Sequence, residues 1–168
     1  HEHGVISFSI ITYYEVLNGL LYKDAKKQLD KFERFAEMNA VLNQAREVKG
    51  IRKDLVYERF ALLMESQGRY DEAIEHFRKA LSSRPADART LNNYGSFLYE
   101  EQRYKEAYER FEQAAADTLY PERSRVFENL GMTAAKLGQR DLAQQQLEKA
   151  LRLNRQQPRA LLEMAELS

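Results

Sequence analysis

A chain of 168 residues, 43% hydrophobic and 31% charged, has the make-up of one soluble globular domain rich in amphipathic helix. Lys+Arg and Asp+Glu stand at 26 each, so no net basic face argues for nucleic acid or an anionic membrane as a partner. With no cysteine, disulfides, thiolate nucleophiles, cysteine metal sites and lipid attachment through cysteine are excluded, and no apolar run approaches the ~20 residues that span a bilayer.

Taken in chain order, His1-Glu2-His3-Gly4 reads as the remnant of an expression tag, and residues 5–53 as an N-terminal helical segment. The apolar run Val5 to Ile11 has no basic stretch before it and no small-residue cleavage site after it, so it does not read as a signal peptide. Thr12 and Glu15 have the spacing of a capping box at a helix start. A single apolar stripe then runs through Leu29, Phe32, Phe35, Ala36, Leu42, Ala45 and Val48. Its helical period predicts one long helix from about Lys23 to Lys49, with Phe32, Phe35 and Leu42 covering the element that follows.

Helices are predicted next near 54–67, 71–83, 88–101, 105–116, 123–137 and 141–153, with a last one from 158 and nine in all. A repeat carries this reading. At a spacing of 34, Ala61 falls on Gly95, Tyr70 on Tyr104, Ala73 on Ala107, Phe77 on Phe111 and Ala80 on Ala114. The text repeats as well, Gly68-Arg-Tyr-Asp-Glu-Ala-Ile-Glu-His-Phe77 against Gln102-Arg-Tyr-Lys-Glu-Ala-Tyr-Glu-Arg-Phe111. At a spacing of 36, Gly95 falls on Gly131, Ala107 on Ala143, Phe111 on Leu147 and Ala114 on Ala150, the extra length falling around Thr118 to Pro121. Small residues at these positions let two helices approach closely. Gly68 and Gly138 stand where a helix must stop, and Pro85, Pro121 and Pro158 mark the joins between hairpins. Tyr70, Phe77, Tyr104 and Phe111 are expected to fill the space between neighbouring hairpins.

The pattern resembles the tetratricopeptide family over residues 54–168. The resemblance implies an all-α, right-handed solenoid: three helical hairpins and a C-terminal capping helix, packed with the N-terminal segment as one continuous domain. It also implies a concave groove lined by the first helix of each hairpin, with Glu58, Leu62, Asn92, Ser96, Tyr99, Arg125, Glu128 and Met132 as the candidate peptide-binding residues. Some relatives grip a peptide's terminal carboxylate there. Arg125, Asn93 and Asn129 have the right chemistry, but Glu58 and Leu62 stand where that clamp wants a base and an amide.

Leu91-Asn-Asn-Tyr-Gly-Ser-Phe-Leu-Tyr99, the run from Asp117 to Gly131 and Leu151-Arg-Leu-Asn-Arg155 are more specific, and resemble the pilotin lipoproteins of type IV pilus biogenesis. That resemblance implies a periplasmic, outer-membrane lipoprotein parent that assists a secretin. The stretch from Ile6 to Leu20, and the helix after it to about Met38, resemble a PIN-domain ribonuclease of the VapC toxin type, with Glu15 matching one acidic metal ligand. Two resemblances joined through an unbroken stripe, with no Pro/Gly/Ser linker before Gly50, lead to the expectation of a designed or recombined chimera, a scaffold with no natural function of its own. The alternative is a peptide-binding module of the pilotin kind.

Catalysis finds little footing. His76, between Glu75 and Phe77, reads as a surface histidine in a helical charge lattice, with no nucleophile or orienting partner. No His and carboxylate spacing suggests a metal and no Gly-rich loop suggests a phosphate, so no cofactor is expected. Most of the ten tyrosines fall on packing positions, Tyr13, Tyr14, Tyr57, Tyr70, Tyr94 and Tyr104 among them; Tyr99 falls on the groove. The expected partner is a peptide or protein in the groove, with no nucleic acid or membrane, and a monomer or weak homodimer as the state in solution.

Overall fold

The computed structural model describes residues 32–167, with side chains from residue 36. The described residues form eight helices: α1 (Phe32–Glu47), α2 (Lys53–Ser66), α3 (Tyr70–Ser83), α4 (Ala88–Glu100), α5 (Tyr104–Ala115), α6 (Arg123–Lys136), α7 (Arg140–Leu153) and α8 (Pro158–Leu167). From α2 onward each boundary falls within one or two residues of the periodicity reading. The chain divides into two compact units between His76 and Phe77.

In the first unit, α1 packs on α2 and buries Leu42 and Ala45. The predicted helix to Lys49 ends earlier, at Glu47, because Gly50 takes φ +85° and turns the chain into α2. Residues 23–31 of that predicted helix, Tyr13, Tyr14 and Glu15 lie outside the described residues, as do the side chains of Phe32 and Phe35. Gly68, at φ +70°, ends α2 as its sequence position implies. Two readings are corrected here. His76 is half-buried and stacked on Phe60, ring centroids 4.8 Å apart, with Tyr57 at 6.1 Å, so it is an aromatic packing residue and not a surface group. Tyr70, the first residue of α3, is 46% exposed and so only part of its ring packs.

In the second unit the apolar register is set by rings and by the absence of side chains. Phe77 stacks on Tyr94 at 4.9 Å and meets Phe97 at 5.7 Å, all three buried. Full burial of such side chains stabilises the fold by roughly 1.5–3 kcal/mol each. Ala107, Ala114, Ala143 and Ala150 are fully buried, as the repeat demands of residues on a close helix contact. Two glycines lie where no side chain fits. A Cβ at Gly95 would stand 2.7 Å from the Phe111 ring, and one at Gly131 only 2.5 Å from Leu147 Cγ. Asp87 starts α4 by accepting from the Thr90 amide at 3.0 Å and the Thr90 hydroxyl at 2.8 Å, a full N-cap. Between α5 and α6 the longer connection projects Leu119, 88% exposed, while Arg123 Nε donates to the Ala115 carbonyl at 3.1 Å and closes the base of the loop. Gly138, at φ +73°, ends α6; the corresponding residue after α4 is Gln102, held at φ +59°.

Candidate functional site

The first helices of successive hairpins, α4 and α6, lie side by side, and α8 continues the row against α6. On α4, Asn92, Ser96 and Tyr99 recur at the i, i+4, i+7 spacing that keeps side chains on one helix face. On α6 the same face carries Arg125, Glu128, Asn129 and Met132. Burial grades along it: Asn92 and Glu128 are buried, Ser96, Tyr99, Asn129 and Met132 half-buried, and Arg125 exposed.

Polar contacts tie these helices together across the face. Asn129 Nδ2 donates to Asn92 Oδ1 at 3.0 Å, a carboxamide pair bridging α6 and α4. Arg159 of α8 pairs with the buried Glu128 carboxylate of α6 at 3.6 Å, its own guanidinium staying open to solvent. Arg125 pairs with Glu122 at the start of its helix, 3.3 Å away, with both groups exposed. Tyr99 meets Tyr104 edge to face at 5.3 Å. Burial pushes the Tyr99 phenol above its ordinary value; Tyr104 and Glu163 push the same way and Arg159 opposes them. Tyr99, Arg159 and Glu163 therefore share one neighbourhood.

The helix read from sequence as a cap thus supplies two polar residues, Arg159 and Glu163, to the face. They were missed because α8 was matched only as half a hairpin; their i, i+4 spacing, the same as Arg125 and Asn129, was the signal available. The structure pairs Asn129 with Asn92, itself one of the groove residues expected from sequence. Glu58, buried, and Leu62, half-buried, sit on α2 in the first unit. Among the described residues no cluster of three or more His, Asp or Glu could hold a metal ion, and no helix is long and apolar enough to cross a membrane.

The tetratricopeptide repeat profile matches residues 87–156, and a second profile of the same description matches 55–87. Residues 55–156 are tetratricopeptide repeats. Among curated proteins, the type IV pilus assembly protein PilF of Pseudomonas aeruginosa is 58% identical over 95 residues, 56% of this chain and 38% of that protein. The solved structure of Pseudomonas aeruginosa PilF aligns with a TM-score of 0.80 at 40% identity, covering 94% of this chain and 66% of that one. The structure of PilW, a type IV pilus biogenesis factor, aligns at 0.72 and 29% identity over 91% of this chain and 69% of that one. The chain therefore spans well under half the length of the curated relative it matches.

These matches overturn the expectation of a designed, de novo or chimeric scaffold. Identity of 58% to a natural pilus assembly protein marks the repeats as natural, and none of the relatives named above supports the resemblance of residues 5–40 to a PIN-domain ribonuclease. The unbroken apolar stripe had suggested a graft, but a solenoid in which every helix packs on its neighbour carries such a stripe without any join.

Proposed function

We propose that this chain is a non-catalytic interaction module of type IV pilus assembly, holding an extended segment of a partner protein along the face of α4, α6 and α8. The carrying observation is the Asn92–Asn129 carboxamide pair, flanked by Tyr99 and by the exposed guanidiniums of Arg125 and Arg159. Carboxamides offer donors and acceptors that match a peptide main chain, and Tyr99 offers an apolar surface with a polar edge. The names of the relatives, a pilus assembly protein and a pilus biogenesis factor, support the setting. Glu128 and Glu163 on the same face disfavour a grip on a bare terminal carboxylate and favour main-chain reading of an internal segment.

The test is fluorescence polarisation with peptides tiled from the pilus secretin. At least one peptide should bind, and Tyr99→Ala and Arg125→Glu should each weaken it about tenfold, the loss of roughly 1.4 kcal/mol. No binding across the tiles, or an affinity unchanged by both substitutions, refutes the proposal.

A further inference from the structure

A second recess lies on the far side of the same hairpins. At 100° per residue, Phe127 and Leu130 point away from the α6 face that carries Arg125, Glu128 and Met132. They form, with Ala115 at the end of α5, the apolar floor of a pocket of about 280 Å³ between α5, α6 and α7. Tyr108 of α5 and Gln146 and Lys149 of α7 supply its polar side.

Size and charge narrow the occupant. An apolar cavity of about 150 Å³ already holds benzene, and sites for drug-sized ligands begin at about 300 Å³. A recess of 280 Å³ that opens to solvent has room for one aromatic ring with the atoms that tether it. Phe127 and Tyr108 are half-buried, so a third ring gains the edge or offset contacts that aromatic groups prefer. The Phe127 ring lies under two cations, Arg123 at 5.2 Å and Lys149 at 5.6 Å from its centroid. Gln146, itself buried, accepts from Lys149 Nζ at 3.4 Å; an ammonium carries three donors, so this bond does not exhaust it. Glu112 is the opposing charge on the rim, but it is exposed where Lys149 is half-buried, and its field is the more screened. Burial and Glu112 push the Tyr108 phenol upward, and a hydrogen bond with Gln146 opposes them.

We infer that this recess is a second docking point, taking an aromatic side chain of a protein partner with a carboxylate beside it, the ring on Phe127 and the carboxylate on Lys149. It is independent of the α4–α6–α8 face.

The probe is N-acetylphenylalanine, titrated into the whole chain and followed by NMR, with its neutral amide as the isostere. The anion should shift the Tyr108, Phe127 and Leu130 resonances with a dissociation constant on the order of 1 mM, as a ligand of this size allows. The amide should bind roughly fivefold more weakly. Lys149→Gln should bring the anion down to the amide's affinity while leaving the amide unchanged, which also shows that the variant is folded. Ala116→Leu, placing a side chain into the recess from its rim, should weaken both probes. Tyr99→Ala should change neither, and so separates this site from the peptide face. No shift at these three residues at roughly ten times the expected constant, equal binding of anion and amide, or a Lys149→Gln variant that still prefers the anion overturns the inference.

Discussion

Replacing Gly131 by alanine sets two known effects against each other. In the interior of α6, alanine is favoured over glycine by about 0.8–1 kcal/mol. The new methyl would stand 2.5 Å from Leu147 Cγ, 2.7 Å from Leu147 Cδ2 and 3.1 Å from the Ala143 carbonyl oxygen, whereas carbon atoms pack best at about 3.5–4.0 Å. The nearest atom is a branch point on a fully buried side chain, so it cannot swing aside as a flexible tip would. Overpacking of this kind costs about 1–3 kcal/mol, and the net change should lie between neutral and a loss of about 2 kcal/mol. Leu147→Ala alone should cost about 2–5 kcal/mol. In its background the methyl of Gly131→Ala enters vacated space, the helix preference prevails, and the same substitution should become neutral or stabilising. Urea unfolding of the four proteins, followed by circular dichroism, gives the coupling, expected near 2 kcal/mol. Additivity within about 0.5 kcal/mol would refute the claim that this glycine exists to admit Leu147.

Gln102 sits at φ +59°, a conformation that costs a non-glycine residue roughly 1–2 kcal/mol, so Gln102→Gly should raise the urea midpoint by the equivalent of about 0.5–1 kcal/mol once its greater unfolded freedom is deducted. Asp87→Ala should cost about 1 kcal/mol in the same assay through loss of the α4 cap, and Asp87→Asn much less. The hydrogen-bonded Arg103 guanidinium holds the Glu106 carboxyl below its ordinary value. Because the folded form is the better acid, this pair stabilises above the ordinary glutamate range and the effect is lost as the pH falls through the folded value. Glu106→Gln should therefore lower stability slightly at pH 7 and not at pH 3, and a gap of the same size at both would refute the assignment.

The hairpins were legible because their signals are local and repeated. Ala73, Ala107 and Ala143 recur at spacings of 34 and 36 because a larger residue there would push two helices apart, and all three are buried. Gly68 and Gly138 announced their positive φ by being glycine. Gln102 did not, since nothing in a glutamine signals a left-handed turn; only its repeat position does. His76 was misread because neighbours in sequence, Glu75 and Glu72, suggested solvent, while its stacking partners Tyr57 and Phe60 come from another helix. The 3.6-residue period placed Asn92 on one face with Ser96 and Tyr99, but that Asn129 of another helix bonds to it depends on how two helices approach, which no single stretch of sequence shows. The recess under Phe127 was not visible at all: it is a volume left between three helices, and no single stretch of sequence encodes it.

The connection that projects Leu119, residues 116–122, is three residues longer than its counterpart after α3, residues 84–87, yet Ala114 before it and Val126 after it are both fully buried. The extra length is absorbed outside the core, and the Arg123 bond to the Ala115 carbonyl closes the loop beneath it. Each doubling of a flexible loop adds only about 0.6 kcal/mol to its closure cost. This seam is therefore a place where the polypeptide can be cut open and rejoined, to receive a fluorophore, an epitope or new termini, while the hairpins on either side keep their grip on one another.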